Sequence, residues 1–341
     1  MNDRFLRACW REPVDCTPVW FMRQAGRSSP AYRAIRAKHG ILEIAKSPTL
    51  AAEVALEPVQ ELGVDAAILF ADLLLPIEAM GVRVRIDAGE GPVIEPTIRT
   101  PEDLDRLKPL DPVRDLAFVF DTIRRMRAKV AVPCIGFAGA PFTMASYLIE
   151  GGVSRDFAAT KLFMHAHPVA WCRLMDLLVD GTAAYLRAQV EAGAQALQLF
   201  DSWAGALSPR DYQASVLPFT RRLFHEIRET GVPCIHFGTG TSGFLESFAS
   251  AGGDVVGVDW RIPIDAAWQR VGEDRGIQGN LDPAALLGPP DVWRPAADDV
   301  LHRAGDRRGH VFNLGHGVLP ETRQDELRAL VRFVHDSTRR G

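Results

Sequence analysis

Short apolar runs recur along the chain at 19–23, 66–72, 134–139, 196–202, 234–240, 255–260, 276–282 and 310–317. Each is strand length, enters apolar and leaves through Gly, Asp, Ser, Asn or His, or through Arg23 in the first. Continuous runs, as opposed to alternating ones, mark strands buried on both faces, as in a parallel sheet. Helical patterns lie between most of them. The stretch 47–63 opens on a cap candidate, Ser47, and stops at Gly63; others stop at Gly193 and Gly231, and a shorter one at Gly252 and Gly253. Eight strand–helix units in a row predict an α/β fold, a (β/α)8 TIM barrel, as one domain over residues 1–341. One stretch breaks the repeat. Residues 81–100 alternate around Asp-Ala-Gly-Glu-Gly-Pro, which predicts a β-hairpin excursion between the second and third units. The segment from Thr100 to Pro112 then reads as a short helix and a proline-rich connection.

Composition narrows the class. With 47% hydrophobic and 24% charged residues the chain is ordinary globular material. A net charge of -4 offers no global field for nucleic acid, so an anionic ligand needs a local arginine cluster. The five cysteines are scattered without a CxxC pair, which argues against a disulfide framework or a zinc ribbon and fits a reducing cytoplasm. The first residues are charged and amphipathic, unlike a secretory signal, and no apolar stretch approaches the roughly 20 residues of a membrane helix. A soluble, cytoplasmic protein is expected.

A barrel of this kind puts its active site at the C-terminal ends of the strands. Those ends offer Arg23 and Arg27, Asp72, Ser202 and His316, and the loop after the third strand carries Tyr147. Taken singly, each has a plain structural role available: a turn former, a helix cap, a core ring. Taken together they converge on one mouth. The two arginines behind a buried strand need an anionic partner, from the protein or from a substrate. Rival motifs are weaker. Gly-Thr-Gly-Thr-Ser-Gly at 238–243, with Asp259 ending the next strand, matches a dinucleotide fingerprint but lies in the fifth unit with short downstream spacing. His-Ala-His-Pro at 165–168 has no partner cluster for a metal, and Phe-His-Glu-Ile-Arg-Glu at 224–229 lacks the second histidine of a zinc protease. No Cys–His set has zinc spacing, so no metal site is expected.

Five blocks carry a family resemblance: PVWFMRQAGR, GFAGAPFTMASYLIEGG, QLFDSWAGALSP, QGNLDP and FNLGHGVLPET. In this order, from about residue 4 to about residue 335, the chain resembles the uroporphyrinogen decarboxylases of haem biosynthesis. The resemblance implies a (β/α)8 barrel that pairs as a homodimer with facing clefts. It implies removal of four acetate carboxyls from uroporphyrinogen III, giving coproporphyrinogen III, with no metal or organic cofactor. It also implies that Arg23, Gln24, Ala25, Gly26 and Arg27 contact substrate, that Asp72 is the central acid, and that Tyr147, Ser202 and His316 line the cleft; Asp72 and Arg23 are the catalytic candidates. Arg23 is a poor general acid unless perturbed, and His316 has a suitable intrinsic pKa but can equally orient a carboxylate. One departure stands out. Where the family continues Tyr-Leu-Pro-Glu, this chain has Ser28-Ser29-Pro30-Ala31, and small polar residues there predict a looser loop at the mouth. Two other functions remain open. A zinc- and corrinoid-dependent methyltransferase shares the barrel but needs an H-x-C motif, and here His236 is followed two residues later by Gly238. A non-enzymatic tetrapyrrole carrier has only the altered loop in its favour.

Overall fold

The computed structural model describes residues 2–87 and 91–340. Its strands are Ala67–Ile68 (β1), Arg83–Asp87 (β2), Gly91–Glu95 (β3), Cys134–Gly139 (β4), Ala196–Asp201 (β5), Cys234–Gly238 (β6), Val255–Gly257 (β7), Gly276–Leu281 (β8) and His310–Leu314 (β9). Seven of them form one curled parallel sheet in the order β1-β4-β5-β6-β7-β8-β9. The eighth stave is the expected first strand, reduced to a bridge. Val19 pairs in parallel with Phe312 of β9. On its other side the Val19 carbonyl accepts from Asp65 N–H at 2.8 Å, just ahead of β1. The run 19–23 therefore closes the ring but does not extend as a strand to Arg23. At Phe21 the chain turns, with Gln24 N–H donating back to the Phe21 carbonyl at 3.0 Å.

Helices cover the outside of the ring. Pro48–Leu62 begins after Ser47 and stops at Gly63, whose φ of 73° is the left-handed cap that glycine adopts freely. Ser47 holds the N-cap position without a side-chain cap bond. The expected helix before Gly193 is the long Pro168–Glu191, and Leu217–Ile227 tightens into a 3₁₀ turn before Gly231. The segment 81–100 holds the expected hairpin: β2 and β3 pair antiparallel, Arg83 opposite Glu95. The tip of the Asp-Ala-Gly-Glu-Gly-Pro turn, 88–90, lies outside the described residues. The short helix expected after Thr100 is a 3₁₀ helix, Pro101–Arg106.

Inside the ring a polar chain crosses the core. Trp20 Nε1 donates to Gln278 Oε1 at 2.9 Å, and Gln278 Nε2 donates to Gln198 Oε1 at 3.0 Å. Gln198 lies on β5 and Gln278 on β8, so their side chains meet across the barrel interior. Nearer the mouth an aromatic layer follows, with Phe137 and Phe200 5.6 Å apart and Phe200 and Phe237 5.9 Å apart. Among the described residues no helix is long and apolar enough to cross a membrane.

Candidate active site

The turn after Val19 sets the first arginine. Arg23 has a φ of 61°, a left-handed conformation that costs a non-glycine residue about 1–3 kcal/mol and persists only where its surroundings impose it. They do so here. Gln24 is fully buried; its Oε1 accepts from Phe21 N–H and its Nε2 donates to the Ala66 carbonyl, both at 3.0 Å. Both ends of its side chain brace the turn. Gly26 is required by contact: a Cβ there would sit 2.8 Å from the Arg23 carbonyl oxygen. Gly317 gives room to the Arg23 stem, since a Cβ at 317 would lie 2.7 Å from Arg23 Cγ and closer still to Cδ. Ala25 and Gly26 are partly buried, while Arg23 and Arg27 are open to solvent.

Around Arg23 the other candidates gather. Asp72 lies beyond the end of β1, in a turn where its Oδ1 accepts from Leu74 N–H at 2.9 Å. The strand stops earlier than its apolar run because this turn leads directly into the helix Leu75–Ala79. Burial raises the Asp72 pKa, the Leu74 N–H lowers it, Glu78 raises it and Arg23 lowers it, with a net rise. Tyr147 is not on a loop: the stretch after β4 is a helix, Pro141–Glu150, opened by proline and closed by Gly151 at φ 82°. Burial, with help from Asp72, pushes the Tyr147 pKa up to about 12, against the influence of Arg23. His316 follows β9 and is partly exposed. Burial and the charges of Arg23 and Arg261 push its pKa down to about 4, against Asp259, so the imidazole is neutral at pH 7. Ser202 follows β5, and its carbonyl accepts from Thr239 Oγ1 at 2.6 Å. The next residue, Trp203, packs on Tyr147 with the rings tilted by 41° and their centroids 4.0 Å apart. Arg23, Asp72, Tyr147 and His316 thus share one electrostatic neighbourhood, and Trp203 brings Ser202 to its edge.

The Ser28-Ser29 departure is not loose. Ser28 is 5% exposed and accepts from Gln324 Nε2 at 2.9 Å. Ser29 is fully buried, donates to Glu57 Oε1 at 2.7 Å and caps the helix Pro30–Arg36 by accepting from Tyr32 N–H. Hydrogen bonds hold this loop in place of bulky side chains. The Arg33 guanidinium donates to the Arg27 and Ser28 carbonyls, and Arg33 and Arg36, which no motif marks, line a hollow of about 400 Å³ with Arg27 and Tyr32. Among the described residues no carboxylate lies within ion-pair distance of Arg23, Arg27, Arg33 or Arg36. The signal was present in the sequence: from Arg23 to Leu42 the chain has four arginines and a lysine and no acid. The aromatic layer of Phe137, Phe200 and Phe237 was hidden, because an apolar residue at a strand end looks like core.

Unpaired arginines at the rim, the buried Asp72 carboxylate and an aromatic layer beneath suit a ligand that carries several carboxylates. The sequence profile for uroporphyrinogen decarboxylase matches residues 1–337. A uroporphyrinogen decarboxylase from Sorangium cellulosum is 54% identical over 99% of this chain and 97% of its own length. The chain belongs to the uroporphyrinogen decarboxylase family. Another uroporphyrinogen decarboxylase, from Carboxydothermus hydrogenoformans, is 52% identical over 98% of this chain and 97% of its own. Among solved structures, a methyltransferase from Methanosarcina mazei superposes with a TM-score of 0.83 over 98% of both chains at 22% identity, which establishes the shared barrel fold. At Gly238, two residues after His236, a Cβ would meet Phe248 at 2.7 Å and Thr241 at 2.8 Å, so a larger residue there would have to displace those side chains. Among the described residues no group of three or more His, Cys, Asp or Glu is placed to hold a metal.

Proposed function

We propose that this chain decarboxylates the four acetate side chains of uroporphyrinogen III to give coproporphyrinogen III. The observation that carries the reading is the contrast at the mouth: Arg23, which among the described residues has no carboxylate within ion-pair distance, bears on Asp72, a buried carboxylate that is likewise without an ion pair among the described residues. The substrate is the complement, eight carboxylates around four pyrrole N–H groups. Arg23 and Arg27 take carboxylates through charge-assisted, fork-shaped hydrogen bonds. Asp72 accepts from pyrrole N–H groups at the centre.

In the chemistry this supports, a pyrrole carbon takes up a proton and the ring becomes cationic. The bond to the carboxyl then breaks, its electron pair passes into the ring, and CO2 leaves. A second proton on the side-chain carbon gives the methyl group, and loss of the first proton from the ring carbon restores the pyrrole. Asp72 lowers the barrier by facing the cation with a fixed negative charge. His316, neutral at pH 7, is better suited to hydrogen bonding with a carboxylate than to supplying the proton. Tyr147 keeps its hydroxyl hydrogen and, with Ser202, offers donors to substrate carboxylates. Because the ring is the electron sink, the reaction calls for no metal or organic cofactor.

Cytoplasmic placement and pairing as a homodimer belong to the same proposal, on the scattered cysteines and the family resemblance. The test is anaerobic incubation of purified protein with uroporphyrinogen III, with products separated by carboxyl number, with and without chelator. Accumulating coproporphyrinogen, undiminished by chelator, is the expected result. Binding without any loss of carboxyls would sustain the carrier reading instead.

A further inference from the structure

Beyond β7 the chain makes a short loop, 259–262, at the same end of the barrel as Arg23 and His316. It is unusually well fastened. Asn280 Nδ2 donates to the Asp259 carbonyl at 2.9 Å and to the Ile262 carbonyl at 2.7 Å. The Asp259 side chain, 3% exposed, accepts from Gly240 N–H at 2.6 Å and from Arg261 N–H at 3.0 Å. It also pairs with the Arg261 guanidinium, which lies 4.3 Å over the Trp260 ring. The guanidinium is therefore held on one edge by a carboxylate and on one face by an indole, yet the Arg261 side chain remains 51% exposed. A head group held in this way loses little freedom when a ligand arrives.

The loop also abuts the catalytic wall. A Cβ at Gly315 would come within 2.5 Å of Trp260 N, so the backbone at 260 packs directly against the residue preceding His316. The influence of Arg261 on His316 agrees with this closeness. Arg23 and Arg261 thus bear on the same neutral imidazole, and Arg261 has N–H donors that Asp259 does not use.

We propose that Arg261 binds a carboxylate of the substrate on the His316 side of the cleft, with Asp259, Trp260 and Asn280 holding it ready. The proposal rests on the decarboxylase reading and adds to it a carboxylate subsite on the opposite stretch of sequence from Arg23 and Arg27.

The test is steady-state kinetics of wild type, Arg261→Gln and Arg261→Lys with uroporphyrinogen, with thermal melting of each. A charge-assisted hydrogen bond lost on substrate binding predicts a KM raised roughly tenfold for Arg261→Gln. Arg261→Lys should fall between the two, kcat should stay within about twofold, and the rise of KM with added salt should be shallower in Arg261→Gln than in wild type. An unchanged KM in Arg261→Gln, or a loss confined to kcat, overturns the proposal and leaves Arg261 as a partner of Asp259 alone. If Arg261→Gln does not fold, the KM and salt slope of Arg261→Lys decide in the same way. Failure of the wild type to decarboxylate would defeat the proposed function separately. Arg261 would then be judged by fluorescence titration with uroporphyrin, where equal affinity of wild type and Arg261→Gln would reject the subsite.

Discussion

Asp72 is placed where its charge is useful to a cation and unfavourable to the fold. Burial raises its pKa above the ordinary value of 3.8. Between that value and its raised one, the folded state holds more protons than the unfolded state. Stability therefore falls as pH rises through this window, and above it the ionised side chain remains a net cost. Asp72→Asn should accordingly melt higher than wild type at pH 7 while losing turnover. An electrostatic group of this kind accounts for about 2.7–4 kcal/mol of barrier, so kcat should fall roughly 10²–10³-fold. Calorimetry and product assays on the same preparation check both halves; an Asn variant that keeps its rate removes Asp72 from the mechanism. Gly317 gives a second test. A methyl there meets the flexible stem of Arg23, not backbone, so Gly317→Ala should fold normally. It should displace the guanidinium and lower kcat/KM with little change in melting temperature. At this scale the sequence was informative about the residues that end strands, Asp72, Ser202 and His316. It was silent about Arg261, because nothing in a lone arginine after Trp260 tells a packed cation from an exposed one.

Among the elements, the closing segment and the C-terminal helix Gln324–Ser337 meet at Asp65, which is 1% exposed. Asp65 accepts from Val19 N–H at 2.8 Å, Asn2 Nδ2 at 3.0 Å and Arg4 Nη1 at 2.6 Å, and His335 Nε2 lies 2.7 Å away. Burial alone would raise the Asp65 pKa, but His335, the Val19 N–H and Arg4 together hold it below the ordinary value. A depressed carboxylate contributes stability that is present above its unfolded pKa and is lost as pH falls through its folded one. Asp65→Asn should thus destabilise by about 3 kcal/mol at neutral pH, since it strands buried partners. The difference from wild type should shrink in melts carried into the acid range below pH 3.8. Helices, hairpin and most strands were legible from periodicity and from the glycines that end them. The first strand was not. Its apolar residues Trp20 and Phe21 are buried, as a strand's would be, but the left-handed Arg23 and the Gln24 brace turn the run into a corner. The loop at Ser28 and Ser29 misled for a related reason: small polar side chains fix a loop as firmly as large ones when each finds a buried partner.

For the molecule as a whole, charge is unevenly distributed. The net charge is -4, yet the mouth gathers Arg23, Arg27, Arg33, Arg36 and Arg261. An anionic substrate is drawn to that rim against the average field, so KM for uroporphyrinogen should rise as salt is raised from about 0.01 M to 0.15 M, where the screening length drops from about 30 Å to about 8 Å. Kinetics over a salt series check this, and a flat profile would mean that the arginines act only at contact distance. Eight apolar runs made the barrel legible, because parallel strands buried on both faces carry their signature in composition alone. How the ring closes was not legible, and it bears on the order in which the protein can be made. Val19 finds its partner only at Phe312, and the Asp65 cluster waits for His335. A ribosome delivers the N-terminus first, so the earliest stave must stay unpaired on that side until nearly the whole chain has emerged. During synthesis, Trp20 and Phe21 are then apolar residues without a neighbouring wall, and the growing protein presents an open edge that chaperones, or a second nascent copy, can reach.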